Sequence, residues 1–307
     1  MEKTKEHSVL STTRIEHQFE QALSIAAERW EQAWQVRMEH HDPTIHFDRP
    51  LNVLPVSVTG DACALNCAHC GGYYLRHMHP IWDVEPKGAT TCLISGGCDK
   101  EGRVPVMPHL DRIAALSKEH RLVWHVGFID EEEMQAIAPY VDVISFDMVG
   151  DAETVREVYG LDATLDDYVR TFDMVQQYAP VVPHIIIGLR CGKLSGERAV
   201  LEALQDRALE KLIFIILIPT EGTAYAHCSP PPLQQVAELF LDARMLLPDT
   251  DIYLGCMRPH GDYRQRVDEL AIRAGLNCIV NPTQAAEDMA AKRGLQIVWG
   301  DECCALD

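Results

Sequence analysis

Eight short runs rich in β-branched residues, mostly separated by stretches of helical periodicity, constrain this 307-residue chain more than any other feature. The runs cover residues 54–58, 91–95, 121–126, 141–146, 182–187, 211–217, 251–254 and 278–280. Helical patterns occupy 110–119, 131–138, 165–178, 197–206, 233–247, 264–274 and 284–293. Such alternation feeds parallel pairing, because an intervening helix returns the chain to the end where the previous strand began. The pattern predicts an α/β fold, a parallel (β/α) barrel of TIM-like form, full or partial. Such barrels need roughly 250 residues, which matches residues 51–307. A doubly wound open sheet is the alternative, and periodicity does not separate the two.

Ahead of the alternation, Thr13 and Glu16 have capping-box spacing. Ile15, Phe19, Leu23, Ala26, Trp30 and Trp34 follow at intervals of three or four, so residues 13–39 read as one amphipathic helix on the outside of the main domain. Residues 40–55, with Pro43, Pro50 and Pro55, read as an extended connector. The expected division is an N-terminal helix and connector over 1–50, then a barrel with a C-terminal cysteine tail over 51–307.

Charge and hydropathy exclude several partners. Against 27 Lys and Arg stand 46 Asp and Glu, a formal net charge of −19, the wrong sign for a nucleic-acid backbone. The longest apolar run, residues 212–219, is too short to cross a bilayer, and the polar start, 1–13, has no signal-peptide core. The ending Cys304-Ala305-Leu306-Asp307 lacks a usual prenylation terminus. A cytoplasmic protein with neither membrane nor nucleic acid as partner is expected.

Eleven cysteines without a secretory signal point to metal or redox chemistry rather than disulfides. Three of them stand in Cys63-Ala64-Leu65-Asn66-Cys67-Ala68-His69-Cys70, directly after the first strand. Three thiolates on one short loop can each bind one iron of a single iron–sulfur cube, leaving a fourth iron open to a small molecule. The competing readings are a zinc site with His69 as fourth ligand, and three unrelated core cysteines.

This Cys-x3-Cys-x2-Cys spacing resembles the radical S-adenosylmethionine (SAM) superfamily, and the resemblance runs from about residue 54 to 282. It implies a 4Fe–4S cluster on Cys63, Cys67 and Cys70, whose open iron takes the amino and carboxylate groups of SAM. It further implies reductive cleavage of SAM to methionine and a 5′-deoxyadenosyl radical that abstracts a substrate hydrogen. His69 stands where the superfamily has an aromatic residue near the adenine. Ser95-Gly96-Gly97 is similar to the Gly-Gly-Glu stretch whose carbonyls meet the SAM amino group, with Cys98 in place of the Glu. Glycine suits that place because a side chain would hold the ligand off the backbone. Ile186 and Gly188 match two positions of the adenine-flanking Gly-x-Ile-x-Gly-x-x-Glu stretch, in which His184 and Cys191 replace the first Gly and the Glu. Pro219, Gly222 and Thr223 resemble a Pro-x-x-Gly-Thr turn of biotin synthase-like members. Ser145-Phe146-Asp147 followed by Tyr159-Gly160 is similar to a stretch of biotin synthase that contacts the SAM ribose or the substrate, which implies Asp147 and Ser145 as contacts. The third strand lacks the cysteine ligand of biotin synthase, so the likeness is to its relatives.

Active sites of such barrels lie at the C-terminal strand ends, where Cys98, Cys191 and Cys256 fall. Cys303 and Cys304 sit in a tail beyond the last strand, free to fold back over that mouth. An auxiliary iron–sulfur cluster on Cys256, Cys303 and Cys304 is one reading, and free thiols in a disordered tail the other. Cys92 and Cys278 read as small buried hydrophobes, and Cys228 has no assignment. Arg258 and Arg190 suit the SAM carboxylate, with a surface ion pair favoured for Arg190. His125 reads as a satisfied barrel histidine, and Tyr73 and Tyr74 as covers of the cluster or exposed loop aromatics.

The whole pattern resembles the biotin synthase-related proteins that form one component of the archaeal-type two-component lipoyl synthase. That resemblance rests on Ser57-Val58-Thr59-Gly60, Ser95-Gly96-Gly97-Cys98-Asp99, Leu254-Gly255-Cys256-Met257-Arg258-Pro259 and the Cys303-Cys304 end. It implies sulfur insertion into an octanoyl chain on a lipoyl carrier protein, with the auxiliary cluster as sulfur donor. A second radical SAM protein and an electron donor such as ferredoxin or flavodoxin are the implied partners. Another radical SAM reaction (isomerase, methylase or cofactor maturase) and a non-catalytic iron–sulfur protein are the alternatives.

Overall fold

The computed structural model describes residues 11–306, so most of the polar start, 1–13, and the terminal Asp307 lie outside the described residues. The strands are β1 (Thr44–Asp48), β2 (Val53–Ser57), β3 (His79–Pro80), β4 (Thr91–Ser95), β5 (Arg121–Trp124), β6 (Val143–Asp147), β7 (Val181–Ile187), β8 (Lys211–Ile216), β9 (Asp251–Leu254), β10 (Cys278–Val280) and β11 (Gln296–Gly300). The helices are α1 (Thr12–Leu23), α2 (Ala27–His40), α3 (Leu110–Leu116), α4 (Glu131–Ile137), α5 (Ala152–Tyr159), α6 (Leu165–Val175), α7 (Glu197–Leu204), α8 (Leu233–Leu246), α9 (Asp262–Arg273) and α10 (Gln284–Lys292). Among the described residues no helix is long and apolar enough to cross a membrane.

All strand pairs are parallel, in the order β11-β1-β10-β9-β8-β7-β6-β5-β4-β2-β3. The sheet ends at β11 and β3, so the barrel is partial. Its curvature follows from the inward side chains: Val123, Val143, Val182, Ile213, Tyr253, Cys278 and Val280, from β5 to β10, meet in one apolar cluster. Alternation along each strand then fixes what else faces the lumen. Val143, Ser145 and Asp147 share one face of β6, as Val182, His184 and Ile186 share one face of β7.

Three strands escape the eight expected runs. β1 lies inside the segment read as a connector and pairs with β10 and β11. Alternating Ile45 and Phe47, both fully buried, carry it. The expected single helix over 13–39 is two. Ser24 ends α1 by donating its hydroxyl to the Gln21 carbonyl at 2.7 Å, the local competition with the backbone that serine offers. Ala26 is then extended before α2 starts. Both helices dock on the outside. Glu16 holds Arg266 at 2.7 Å, and Arg29 holds Asp242 at 2.7 Å.

Arg258 is fully buried, contrary to its expected place at a SAM carboxylate. Its Nε donates to Asp268 at 2.8 Å, and Nη1 donates to the carbonyls of Gly255 (2.7 Å) and Val280 (2.8 Å). Nη2 donates to the Asn281 carbonyl at 3.2 Å, while the other oxygen of Asp268 accepts from the Thr283 N–H at 2.9 Å. The guanidinium therefore ties the ends of β9 and β10 to α9 and has no face left for a ligand. The tail is a second correction. It enters the lumen from the N-terminal strand ends rather than folding over the mouth. Glu302 accepts from Thr90 and Thr91, Lys211 donates to the Cys304 carbonyl at 3.1 Å, and Cys304 and Ala305 join the luminal apolar cluster. Burial of these small apolar side chains among valines and isoleucines is the physical reason.

Removing one partner of a buried ion pair strands the other charge. Asp268→Ala should therefore lose about 3–5 kcal/mol of stability in denaturant unfolding, whereas Asp262→Ala, at a half-buried carboxylate of the same helix that among the described residues accepts only from the Thr12 hydroxyl at 2.6 Å, should lose far less.

Candidate functional site

The cysteine loop is built by the turn that follows β2. The Ser57 hydroxyl donates to the Gly60 carbonyl at 2.8 Å and shapes that turn. Thr59 Oγ1 then accepts from the Gly97 N–H at 2.7 Å, and the Ala64 N–H donates to the Cys98 carbonyl at 2.8 Å. The loops after β2 and β4 are thus laced edge to edge. Gly97 is obligatory in this contact. A Cβ there would lie 1.9 Å from the Ala62 carbonyl oxygen and 2.7 Å from the Cys63 Cα.

Asn66, with φ of +50°, opens a helical turn. Within it the Cys70 and Gly71 N–H groups both donate to the Cys67 carbonyl, at 3.0 and 2.8 Å. Cys67 and Cys70 therefore share one face of the turn. Burial pushes the Cys67 thiol up to about 12, and the neighbouring thiols of Cys98, Cys63 and Cys70 add to it. Burial likewise pushes Cys98 up to about 12, with Cys63 its foremost sulfur neighbour. Cys98, read from the sequence only as a departure at the Glu position, thus belongs to the same group of thiols. Thiolates are costly in such a group unless a cation compensates them, the situation that a metal cluster resolves.

His69 projects from this loop with its Nδ1 buried and without a hydrogen-bond partner. Burial pulls its imidazole down to about 4 despite the pull of Asp147 in the other direction. Its ring meets Tyr159 edge-on at 5.7 Å. A neutral ring with an unpaired nitrogen beside the thiols, together with the donor set itself, fits a bound cluster and organic cofactor.

Below the loop, Asp147 is the hub of a polar layer. His125 Nε2 stands 3.2 Å from Asp147 Oδ2, with 40% and 28% of the two side chains open. Asp147 lies across the β6–β7 register from His184. Burial pulls His125 down, but the charge and hydrogen bond of Asp147 outweigh it, and the imidazole ends above its ordinary range. Burial pushes Asp147 up, and His125, then His184 and His69, outweigh it, so the carboxyl ends low. His184 itself is pulled down to about 4 by burial. The two histidines thus differ: the imidazole of His125 is shifted up and that of His184 down. Ser95 donates to the His125 carbonyl at 2.8 Å, and Ser145 is buried on β6.

At the end of β7, Gly188 has φ of +71° and lies against Pro231, where a Cβ would approach to 2.9 Å. Its N–H donates to Glu197 Oε1 at 2.8 Å, and the Ser195 N–H donates to Oε2 at 2.7 Å. Glu197 is therefore the carboxylate that secures this turn, six residues beyond Cys191, where the resemblance had ended. The signal available was the Gly196-Glu197 pair opening a predicted helix. Ile186, nearly buried, lines the same strand. Cys191 instead forms a disulfide with Cys228, contrary to the expectation of metal or redox cysteines only. Arg190 pairs with Glu153 and Glu157. Tyr74 shares a hydrogen bond with Thr220 at 3.1 Å, and Tyr73 packs edge-on against it.

In the other cysteine group Cys278 and Cys304 are buried in the lumen, Cys303 is half-buried and Cys256 is exposed. The neighbouring Cys304 thiol holds that of Cys303 below its usual range. Cys256 stands within electrostatic reach of Cys303. Cys278, read as a buried hydrophobe, donates its thiol to Asp48 at 3.1 Å and is among the sulfurs that act on Cys304.

No protein-family profile matches the chain, and no curated protein sequence does. Solved structures do. Methylornithine synthase (PylB) superposes with a TM-score of 0.60 at 12% identity, covering 94% of each chain. The chain has the fold of that enzyme. Streptococcus suis SuiB follows at TM-score 0.48 and 11% identity, over 82% of this chain and 60% of its own. The radical S-adenosylmethionine methyltransferase TsrM from Kitasatospora setae, solved with cobalamin and a [4Fe-4S] cluster, gives 0.41 and 14% over 61% and 37%.

Two outcomes follow. Gly97→Ala should lower iron bound per chain after anaerobic reconstitution, because the added carbon pushes the Ala62–Cys63 backbone aside. Asp147→Asn should bring the His125 titration, followed by proton NMR of the iron-free chain, from above the ordinary histidine value of about 6.5 to below it. In the wild type the pair contributes stability that is full below the unfolded histidine value and is lost as pH rises through the raised one.

Proposed function

We propose that this chain is a radical SAM enzyme, with a 4Fe–4S cluster held by Cys63, Cys67 and Cys70. The observation that carries the reading is the lacing of the cysteine loop to Ser95-Gly96-Gly97, closed by a glycine that no other residue can replace. When bound, the cluster supplies one electron for cleaving SAM to methionine and a 5′-deoxyadenosyl radical. This chain's residues do the placing. The backbone of Ser95, Gly96 and Gly97 would hold the SAM amino group, Ile186 and Gly188 would flank the adenine, and His69 would stand beside it. Asp147, kept ionised by His125, accepts from ribose hydroxyls, with Ser145 next to it on the same face. Packing of the tail into the lumen keeps water from the far end.

The specific reaction proposed is sulfur insertion into an octanoyl chain on a lipoyl carrier protein. Cys256, Cys303 and Cys304 would hold the auxiliary cluster, and the partners are a second radical SAM protein and a ferredoxin or flavodoxin. Supporting this, the tail places Cys303 and Cys304 inside the lumen, within electrostatic influence of Cys256. A second reading, another radical SAM reaction on a polar substrate, is favoured by the His125–Asp147–His184 layer, which suits a charged or hydrogen-bonding group better than an alkyl chain.

Reduced, reconstituted protein incubated with SAM should release 5′-deoxyadenosine, and Cys67→Ala should abolish it. Cys304→Ala should retain cleavage, lower iron from about eight to about four per chain, and stop sulfur transfer to an octanoylated carrier peptide read by mass spectrometry. A wild type holding only about four irons would remove the sulfur-insertion reading and leave the radical SAM one.

A further inference from the structure

The loop after β7 and the loop 219–232 meet at a site that the cleavage chemistry does not use. Cys191 stands there with a left-handed backbone, φ +50°, its Cα 5.2 Å from that of Cys228. His227 adds a ring nitrogen, and the three donor atoms lie within 4.8 Å of one another. Cys228 is buried, Cys191 half-buried and His227 exposed. The approach is set by the backbone, not only by the sulfur–sulfur bond. A Cβ on Gly192 would lie 2.0 Å from the Ser229 carbonyl oxygen, and the Gly192 N–H donates to the Gly188 carbonyl at 2.8 Å. Opening the disulfide therefore leaves two thiols and an imidazole converging on one point.

Two thiolates and one imidazole are a zinc donor set, and three protein ligands leave a fourth position open. We propose that Cys191, Cys228 and His227 bind one Zn²⁺ when the Cys191–Cys228 bond is reduced, with a water or an incoming ligand in the fourth place. An external dithiol supplies the two electrons and two protons that turn the disulfide into two thiols, and itself becomes a disulfide. Zinc then displaces both thiol protons. In the disulfide state the sulfurs bind each other, so zinc and disulfide are alternative occupants of one site.

The position gives the site consequences for the neighbouring chemistry. One of its loops carries the Gly188 turn. The other reaches the cysteine loop, where the Tyr225 N–H donates to the Ala68 carbonyl at 3.0 Å. Zinc or the disulfide closes the same bridge between these two loops.

The test uses the full chain with its iron–sulfur sites filled, opened anaerobically with a phosphine. The phosphine becomes its oxide by taking the oxygen of one water, whose hydrogens complete the two thiols. Zinc is added, and iodoacetamide labelling is read peptide by peptide. Zinc should slow labelling of Cys191, and metal analysis should find about one zinc per chain. His227→Ala, a change at an exposed side chain, should weaken that protection at least about tenfold, more than loss of an outer-shell partner costs. Cys191→Ser should lose the bound zinc, and the disulfide form should take up none. Labelling of Cys191 indifferent to zinc, equal protection in His227→Ala, or equal zinc uptake by the disulfide form would each overturn the proposal. None of these outcomes depends on SAM cleavage.

Discussion

The contact between Gly97 and the Ala62–Cys63 backbone is the constraint on which the rest of the site depends. Two loops from neighbouring strands approach until there is no room for a single carbon. That closeness lets the Thr59 hydroxyl and the Cys98 carbonyl hold the loops in register. It also brings Cys63, Cys67, Cys70 and Cys98 into one half-buried group, in which the thiols of Cys67 and Cys98 are pushed well above their ordinary range. A cationic cluster held there would turn that penalty into binding energy. The parallel sheet matters here because it brings every strand out at the same end. The loops after β2, β4, β6 and β7 therefore surround one mouth.

The lumen beneath has two characters. Its upper layer is ionisable, with Asp147 balancing His125 while leaving His184 neutral. Its lower layer is apolar and filled by the chain's own tail, which brings Cys303 and Cys304 towards Cys256 and Cys278 from the closed end. Anything entering from the mouth meets polar groups first. That ordering sets the terms of the choice between an alkyl substrate and a polar one.

Much of the fold was legible because hydrophobic alternation is local. The eight runs became β2, β4 to β10, and the cysteine spacing placed the triplet after β2 where a loop was required. Other features were not legible, and each for a non-local reason. β1 hid among prolines because its partners, β10 and β11, lie more than two hundred residues away. Arg258 looked like a ligand for an anion because its sequence neighbours show nothing of Asp268 and three carbonyls closing round it. Glu197 was missed because the loop before it is longer than the pattern sought, although its carboxylate reaches back to Gly188. The Cys191–Cys228 bond joins positions 37 residues apart, and no spacing rule announces it.

By itself the sequence determined the parallel α/β architecture, the acidic surface and the presence of a three-thiol loop. Periodicity, charge count and short-range spacing are properties of neighbouring residues and survive without coordinates. Only tertiary structure decided which end of the lumen the tail enters and which thiol joins the triplet. It also decided which histidine is shifted up by Asp147 and which arginine is sealed away. Those outcomes depend on burial and on distances between residues remote in the chain, and both exist only once the sheet has curled round its lumen.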